Sequence, residues 1–327
     1  MAAESNYLGF DIGGTKIAVC LGTSNGKILA SERIPNSDRN PNEVIDQMVT
    51  SARKMMSDYG LSDSDIASVG IGAPGPIDMF SGIMEKSPNM LKWNNVPILK
   101  TVSQIFKSRV YLENDANAGA LAEWIFGLGR TKRNLIYLTM STGIGGGIIT
   151  DGKLLRGRDL VAGEIGHIVL DPQGPACNCG LRGCYEAFCG GKSVARRILS
   201  DLSGEPEHPL MLMAGGDAGK IGYPVLIEGV KTGNGYALSL WDEICLRNAQ
   251  ALGLLINTFN PEMIVMGTVA LAAGDVLLDP VKKLLPRFAW PRMLRGVQIR
   301  TSSLGRNIGE YSGLSVAIYY DQQEGRG

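Results

Sequence analysis

Tyr7-Leu-Gly-Phe-Asp-Ile-Gly-Gly-Thr-Lys-Ile-Ala-Val-Cys-Leu-Gly22, followed by Asn25-Gly-Lys-Ile-Leu29, reads as strand, glycine-rich turn, strand, Asn-Gly turn, strand. The pattern returns in Leu135-Ile-Tyr-Leu-Thr-Met-Ser-Thr-Gly-Ile-Gly-Gly-Gly-Ile-Ile149, followed by Asp151-Gly-Lys-Leu-Leu155. The spacing between the copies is too long for a solenoid repeat. It predicts two related lobes, each opening with the same three-stranded meander.

Outside the repeat, strand and helix patterns alternate. Pro41 to Tyr59 places Val44, Ile45, Met48, Val49 and Ala52 on one helical side. A short strand over Ser68–Gly72 runs into the sharp turn Ala73-Pro-Gly-Pro76. Arg109–Glu113 reads as a strand leading to a helix from about Ala116 to Phe126. A long apolar helix over Leu240–Phe259 precedes the strand Met263–Met266, and a last helix covers about Gly309 to Tyr320. Such alternation implies an α/β fold with helix-covered sheets. Pro206 to Gly235, rich in Pro and Gly, reads as a helix-poor insertion or a loosely helical connection, with His208 as a surface residue.

A chain of 327 residues is long enough for about two domains of roughly 150 residues. With 44% hydrophobic and 20% charged residues it can bury sizeable cores. Basic and acidic residues balance at 32 each, which removes any bulk electrostatic case for nucleic acid or an anionic membrane as partner. No basic leader precedes the first strand and no apolar run is long enough for a span, so a cytoplasmic location is expected.

Within the first copy, Asp11-Ile-Gly-Gly-Thr-Lys16 sits between two strands. Its glycines allow close backbone approach to a ligand, Thr15 offers a hydroxyl, Lys16 a cation, and Asp11 can hold Mg²⁺ directly or through water. It is neither a Walker A loop nor a dinucleotide fingerprint. Alone it fits a plain hairpin turn equally well. Its counterpart, Ser141-Thr-Gly-Ile-Gly-Gly-Gly147, is expected to expose several N–H groups as an anion-binding surface. Two such loops, one per lobe, can grip a nucleotide's phosphates across a cleft.

Asp115, in Glu113-Asn-Asp-Ala-Asn-Ala118, falls where a strand gives way to a helix, the usual ligand edge of an α/β sheet. Taken alone it reads best as a helix N-cap. The flanking Asn114 and Asn117 point beyond that, because one cap does not need three such side chains.

Gly163-Glu-Ile-Gly-His167 and Cys177-Asn-Cys-Gly-Leu-Arg-Gly-Cys-Tyr-Glu186 supply His167, Cys177, Cys179 and Cys184, a Cys₃His set for a structural Zn²⁺. Four protein ligands close the shell, so this metal does not activate water. Cys189 falls outside the pattern; Cys20 and Cys245 read as core residues. Glu164 and Glu186 bracket the site. Carboxylates beside a fixed imidazole suit vicinal sugar hydroxyls, although their spacing alone also accommodates two surface glutamates.

Together, Asp11-x-Gly-Gly-Thr-Lys16, Ala73-Pro-Gly-Pro76, Glu113-Asn-Asp-Ala-Asn117, Thr142-Gly-Ile-Gly-Gly-Gly147, Gly163-Glu-Ile-Gly-His167 and the cysteine motif resemble the ROK family of bacterial sugar kinases and regulators. The resemblance implies a two-lobed actin-like, hexokinase-like (ribonuclease H-like) fold with a catalytic cleft. The small lobe is expected over 1–115 plus the C-terminal helix at about 309–327, the large lobe over 116–308. It implies ATP-dependent phosphorylation of a hexose at the 6-hydroxyl, with Asp115 as base and glucose favoured by Ser87-Pro-Asn89 followed by Trp93. Kinases for N-acetylmannosamine, N-acetylglucosamine, mannose or fructose are the alternatives.

Gly75, Asn89, Asn114, Glu164, His167 and Glu186 are implied as sugar ligands. Asp11, Gly13, Gly14, Thr15, Lys16, Thr142, Gly143 and Gly267 are implied for Mg-ATP. Zn²⁺ on His167 and the three cysteines would orient the sugar-binding imidazole, and a homodimer or homotetramer is implied. Thr268 departs from the family's Gly-Gly pair after the late strand, which bears on the nucleotide's base-side contacts and on the choice of donor. The family's repressors, the rival class together with non-catalytic sugar sensors, carry a helix-turn-helix domain ahead of a first lobe that here starts by Tyr7.

Overall fold

The structure is a computed structural model that describes residues 4–37, 39–85 and 90–324. Its first sheet opens with β1 (Asn6–Ile12), β2 (Lys16–Thr23) and β3 (Ile28–Pro35), an antiparallel meander. Helix α1 (Pro41–Asp58) then leads to β4 (Ile66–Ala73), parallel to β1. The small ribbon β5 (Ile77–Asp78) and β6 (Ile83–Met84) and helix α2 (Ile98–Ser103) precede β7 (Arg109–Asn114), parallel to β4. The strand order is β3-β2-β1-β4-β7.

Helix α3 (Asp115–Ile125) crosses to a second sheet of β8 (Leu135–Met140), β9 (Ile144–Thr150) and β10 (Lys153–Leu154). A long excursion follows: α4 (Tyr185–Cys189), α5 (Gly191–Asp201), α6 (Pro209–Met213), α7 (Tyr223–Lys231) and α8 (Gly235–Phe259). The chain then adds β11 (Met263–Met266), α9 (Val269–Ala273), α10 (Asp275–Leu284), α11 (Pro291–Leu294), β12 (Gln298–Thr301) and α12 (Ile308–Glu324). The order β10-β9-β8-β11-β12 matches the first sheet strand for strand. The repeat read from the two glycine-rich hairpins is therefore a repeat of whole sheets.

The helices after the last strand of each sheet change places. Helix α3 leaves the first sheet and packs on β8 and β9, while α12 leaves the second and packs on β1 and β4; the two helices also pack together. Small residues permit the approach. A Cβ on Gly70 would stand 2.2 Å from the Gly313 carbonyl, and one on Gly147 would stand 2.5 Å from Ala120 Cβ. Period-two alternation sets the rest. On β1, Leu8, Phe10 and Ile12 join the core under α1, whereas Tyr7 and Gly9 face α12. On β8, Leu135 and Tyr137 face α3, and Ile136, Leu138 and Met140 face the core that includes α8.

Segment 206–235 is more helical than expected, with α6, α7 and a short 3-10 turn over Ala218–Lys220. Pro209 and Pro224 sit at first-turn positions, where a missing N–H costs nothing. His208 is a half-buried cap: Nδ1 accepts the Leu210 N–H at 3.3 Å and the ring meets Tyr236 edge-on. Cys20 and Cys245 are buried, as expected.

Candidate active site

The parallel strands align their carboxyl ends. Asp11 pairs with Gly72, and Asn114 with Ala73, so the first glycine turn, the Ala73–Pro76 turn and the start of α3 share one edge. Asp11 has the parity of Tyr7 and Gly9 and so points towards α12. A Cβ on Gly309, in the first turn of that helix, would stand 2.7 Å from Asp11 Oδ2. The Asp11 carboxyl is raised to about 7, chiefly by burial, then by Asp115 and Glu310, with Lys16 opposing.

Asn114, not Asp115, is the N-cap of α3: its side chain accepts the Ala116 N–H at 2.9 Å. Asp115 is the first helical residue, and its Oδ1 accepts the same N–H at 2.8 Å. The residue is exposed, yet surrounding protein partly desolvates its carboxyl. That desolvation lifts the carboxyl to about 6; the Ala116 N–H works against it and Glu164 adds to it. With capping assigned to its neighbour, Asp115 is left as an acid held at a helix start with an affinity for protons near neutrality.

Asn117 does not belong to the ligand-facing set that its spacing suggested. Its Nδ2 donates to Glu113 Oε1 at 3.0 Å in the interior. Glu113 is fully buried; it also accepts from the Asn114 N–H (3.0 Å) and the Tyr320 hydroxyl (2.6 Å), and it faces Arg156 at 3.2 Å. This network joins the end of β7 to α12 and to the segment after β10, and so braces Asn114 and Asp115 from behind. Sequence reading missed Arg156 and Tyr320, since nothing local marks residues that meet only in the fold.

The first glycine turn is closed by the Gly13 N–H to the Lys16 carbonyl (3.0 Å) and braced by Asn36, which donates to the Gly13 carbonyl at 2.7 Å. Thr15 and Lys16 are exposed beside it. The second turn is narrower than expected. Gly145, Gly146 and Gly147 lie in β9, paired with β8, and the Ile144 N–H is taken by Glu186 Oε2 at 2.8 Å. The anion-binding surface expected over 143–147 thus shrinks to Ser141–Gly143, where Ser141 and Thr142 are exposed. Those β9 glycines serve instead to let α3 and Ile165 lie close.

Gly75 stands beside Asn114, with its virtual Cβ 3.8 Å from Asn114 Nδ2. Gly267 is buried against the Tyr137 ring and donates its N–H to the Leu138 carbonyl at 2.7 Å. Its neighbour Thr268 has φ 48° and ψ −102°, a positive-φ conformation unusual for a β-branched residue. Its hydroxyl accepts the Met140 N–H at 2.9 Å and donates to the Met140 carbonyl, which pins the residue just before the second turn. Asn89, with Ser87 and Pro88, lies outside the described residues; Trp93 is buried.

Among the described residues, His167, Cys177, Cys179 and Cys184 each bring one ligand atom within 4.8 Å of the others. Cys179 Sγ and Cys184 Sγ are 3.7 Å apart, as are Cys177 Sγ and His167 Nδ1. Sulfurs about 2.3 Å from a tetrahedral Zn²⁺ stand about 3.8 Å apart, so the donor set fits that ion. Left-handed Gly180 and Gly183 close the loop. His167 turns Nδ1 to the sulfurs and Nε2 to Glu164 Oε2, 4.0 Å away. Cys189 is buried towards α8, apart from this group.

A sequence profile of the ROK family matches residues 7–314. The glucokinase of Thermotoga maritima is 34% identical over 94% of this chain and 96% of its own. The ROK hexokinase from Thermus thermophilus superposes with a TM-score of 0.83 at 28% identity, covering 98% and 99% of the two chains. A ROK family glucokinase from Streptomyces griseus, solved in complex with glucose and AMPPNP, gives a TM-score of 0.77 at 30% identity over 96% and 99%. The xylose repressor of Caldicellulosiruptor bescii is 34% identical over 73% of this chain and 59% of its own length. The fold is thus the two-lobed α/β fold of ROK hexokinases, as expected.

Proposed function

The chain belongs to the ROK family, and on that premise we propose that it is an ATP-dependent hexose kinase acting on the 6-hydroxyl of glucose. The observation that carries this is Asp115: a carboxyl at a helix start whose N-cap is its neighbour Asn114, on the same strand-end edge as the first glycine turn. Phosphoryl transfer asks a protein for alignment, charge stabilisation and a group to take the hydroxyl proton. Asp115 takes that proton. Gly75, Asn114, Glu164, His167 and Glu186, with Asn89, hold the sugar hydroxyls. The lobes, residues 1–115 with the C-terminal helix and residues 116–308, close on the two substrates.

Asp11, Gly13, Gly14, Thr15, Lys16, Thr142, Gly143 and Gly267 serve the Mg-ATP side. Mg²⁺, when bound, neutralises charge on the transferring phosphates; Asp11 holds it and Lys16 shares that work. Zn²⁺ fits the thiolates and His167 Nδ1 and has a structural role. With Nδ1 so engaged, Nε2 is presented beside Glu164 for the sugar. The similarity to glucokinases supports glucose as substrate. The xylose repressor supports a sugar-sensing regulator as the second reading.

ADP release measured over glucose, mannose, fructose, N-acetylglucosamine and N-acetylmannosamine tests the proposal. Glucose is expected to give the highest kcat/KM, and a lack of turnover with every sugar would sink the kinase reading. Acid should inhibit. Asp115 and Asp11 act ionised, so kcat/KM should fall as pH drops through about 7 to about 6, their raised values. A pH profile flat across that interval would remove Asp115 from its role.

Thr268→Gly releases a strained residue but unpins Met140 and the turn after it. A hydrogen bond of this kind is worth about 1 kcal/mol net, so KM for ATP should rise about fivefold with kcat little changed. Steady-state kinetics at saturating glucose check this, with Thr268→Ser, which keeps the hydroxyl, retaining the low KM.

A further inference from the structure

A cavity of ≈ 260 Å³ is lined by residues of α4, α5 and α8. Helix α5 turns Ser193, Arg196, Arg197 and Ser200 into it, the three- and four-residue spacing of one helix face. Helix α8 adds Arg247, whose guanidinium stacks over the Phe188 ring at 4.1 Å. Three guanidiniums therefore meet one lining carboxylate, Glu243.

Three carboxylates stand near these three guanidiniums, all on two of them. Arg197 pairs with Asp201, and Arg247 faces Asp171 at 3.2 Å and Glu243 at 4.0 Å. Arg196 is exposed and has no ion-pair partner among the described residues. Five N–H donors per guanidinium leave fork positions unused on the paired arginines as well. Arg196 thus brings a guanidinium without a carboxylate of its own, and planar guanidinium forks match phosphate oxygens.

Val194, Leu240 and Ile244 supply apolar wall beside these groups. The volume is below the roughly 300–1,000 Å³ of sites for drug-sized ligands. It exceeds what a bare phosphate fills and leaves room for a short carbon skeleton.

We infer that this cavity is a second binding site, separate from the cleft, for a small phosphomonoester. Its phosphate lies on Arg196, Arg197 and Arg247 with the Ser193 and Ser200 hydroxyls, and its carbon skeleton lies against the apolar wall. The site has a short route to the cleft. The Gly191 and Lys192 N–H groups at the start of α5 donate to the Ser141 and Thr142 carbonyls at 2.8 and 3.0 Å. A ligand tying α5 to α8 thus restrains the helix on which the second turn rests.

Calorimetric titration of the full chain with glycerol 3-phosphate and with inorganic phosphate tests the inference, with glucose and AMPPNP present to fill the cleft. Glycerol 3-phosphate should bind once per chain and more tightly than inorganic phosphate. Arg196→Glu, an exposed change that leaves turnover intact, should weaken it by about tenfold or more, the loss of a charge-assisted contact. No binding, equal affinity for the two probes, or binding indifferent to Arg196→Glu would overturn it.

Discussion

Asp115→Asn is expected to lower kcat by about 10²–10⁴-fold while leaving the Kd for glucose nearly unchanged. The amide keeps the shape and can still accept the Ala116 N–H through its Oδ1, as the carboxylate does at 2.8 Å. What it loses is the capacity to take a proton. Single-turnover kinetics and equilibrium glucose binding separate the two effects, and near wild-type kcat would refute the role. The same substitution should raise the melting temperature at neutral pH. A carboxyl whose folded value is lifted to about 6 binds its proton more tightly folded than unfolded. Its contribution to stability is therefore greatest below the unfolded value of about 4 and declines as pH rises through about 6. Asparagine does not titrate and avoids that loss, so the residue trades stability for activity.

Cys184→Ser should produce the second large effect. Cys184 is fully buried, precedes α4, and offers its sulfur to the same point as His167 Nδ1. Purified wild-type protein should hold about one zinc per chain, and the variant should hold little. Without the metal the His167 ring loses its anchor, and Glu164 beside it loses its partner at 4.0 Å. KM for glucose should rise by about 10–100-fold, the range for disturbing the support of a ligating group. Helix α4 carries Glu186, which holds the Ile144 N–H, so the second turn should loosen too. Elemental analysis with glucose-dependence kinetics checks both. Folded, active wild-type enzyme without zinc would overturn the assignment.

The features legible in the sequence are those written over short stretches. The two hairpins, the cysteine loop and the long α8 declare themselves by turn residues or periodicity, and the structure places them close to where they were expected. What depended on contacts between distant segments was not legible. The exchange of α3 and α12 between sheets has no local signal, because an apolar helix face does not specify which sheet it will cover. The Glu113–Arg156–Tyr320 network joins three separate segments for the same reason. Glycine was ambiguous in its own way: in Gly145–Gly147 it was read as phosphate-binding, whereas there it makes room for a helix. Asn114 and Asp115 show the converse. Both are good caps by type, and only the observed geometry tells which one caps and which one is left for chemistry.

We propose that this cleft moves a phosphoryl group onto glucose. The most direct test incubates the protein with glucose and Mg-ATP and identifies the products by ³¹P nuclear magnetic resonance. Glucose 6-phosphate and ADP are expected in equal amounts, and the Asp115→Asn variant should form both at least about 10²-fold more slowly. Glucose that binds but is recovered unphosphorylated, with ATP intact, would contradict it and favour the sugar-sensing reading.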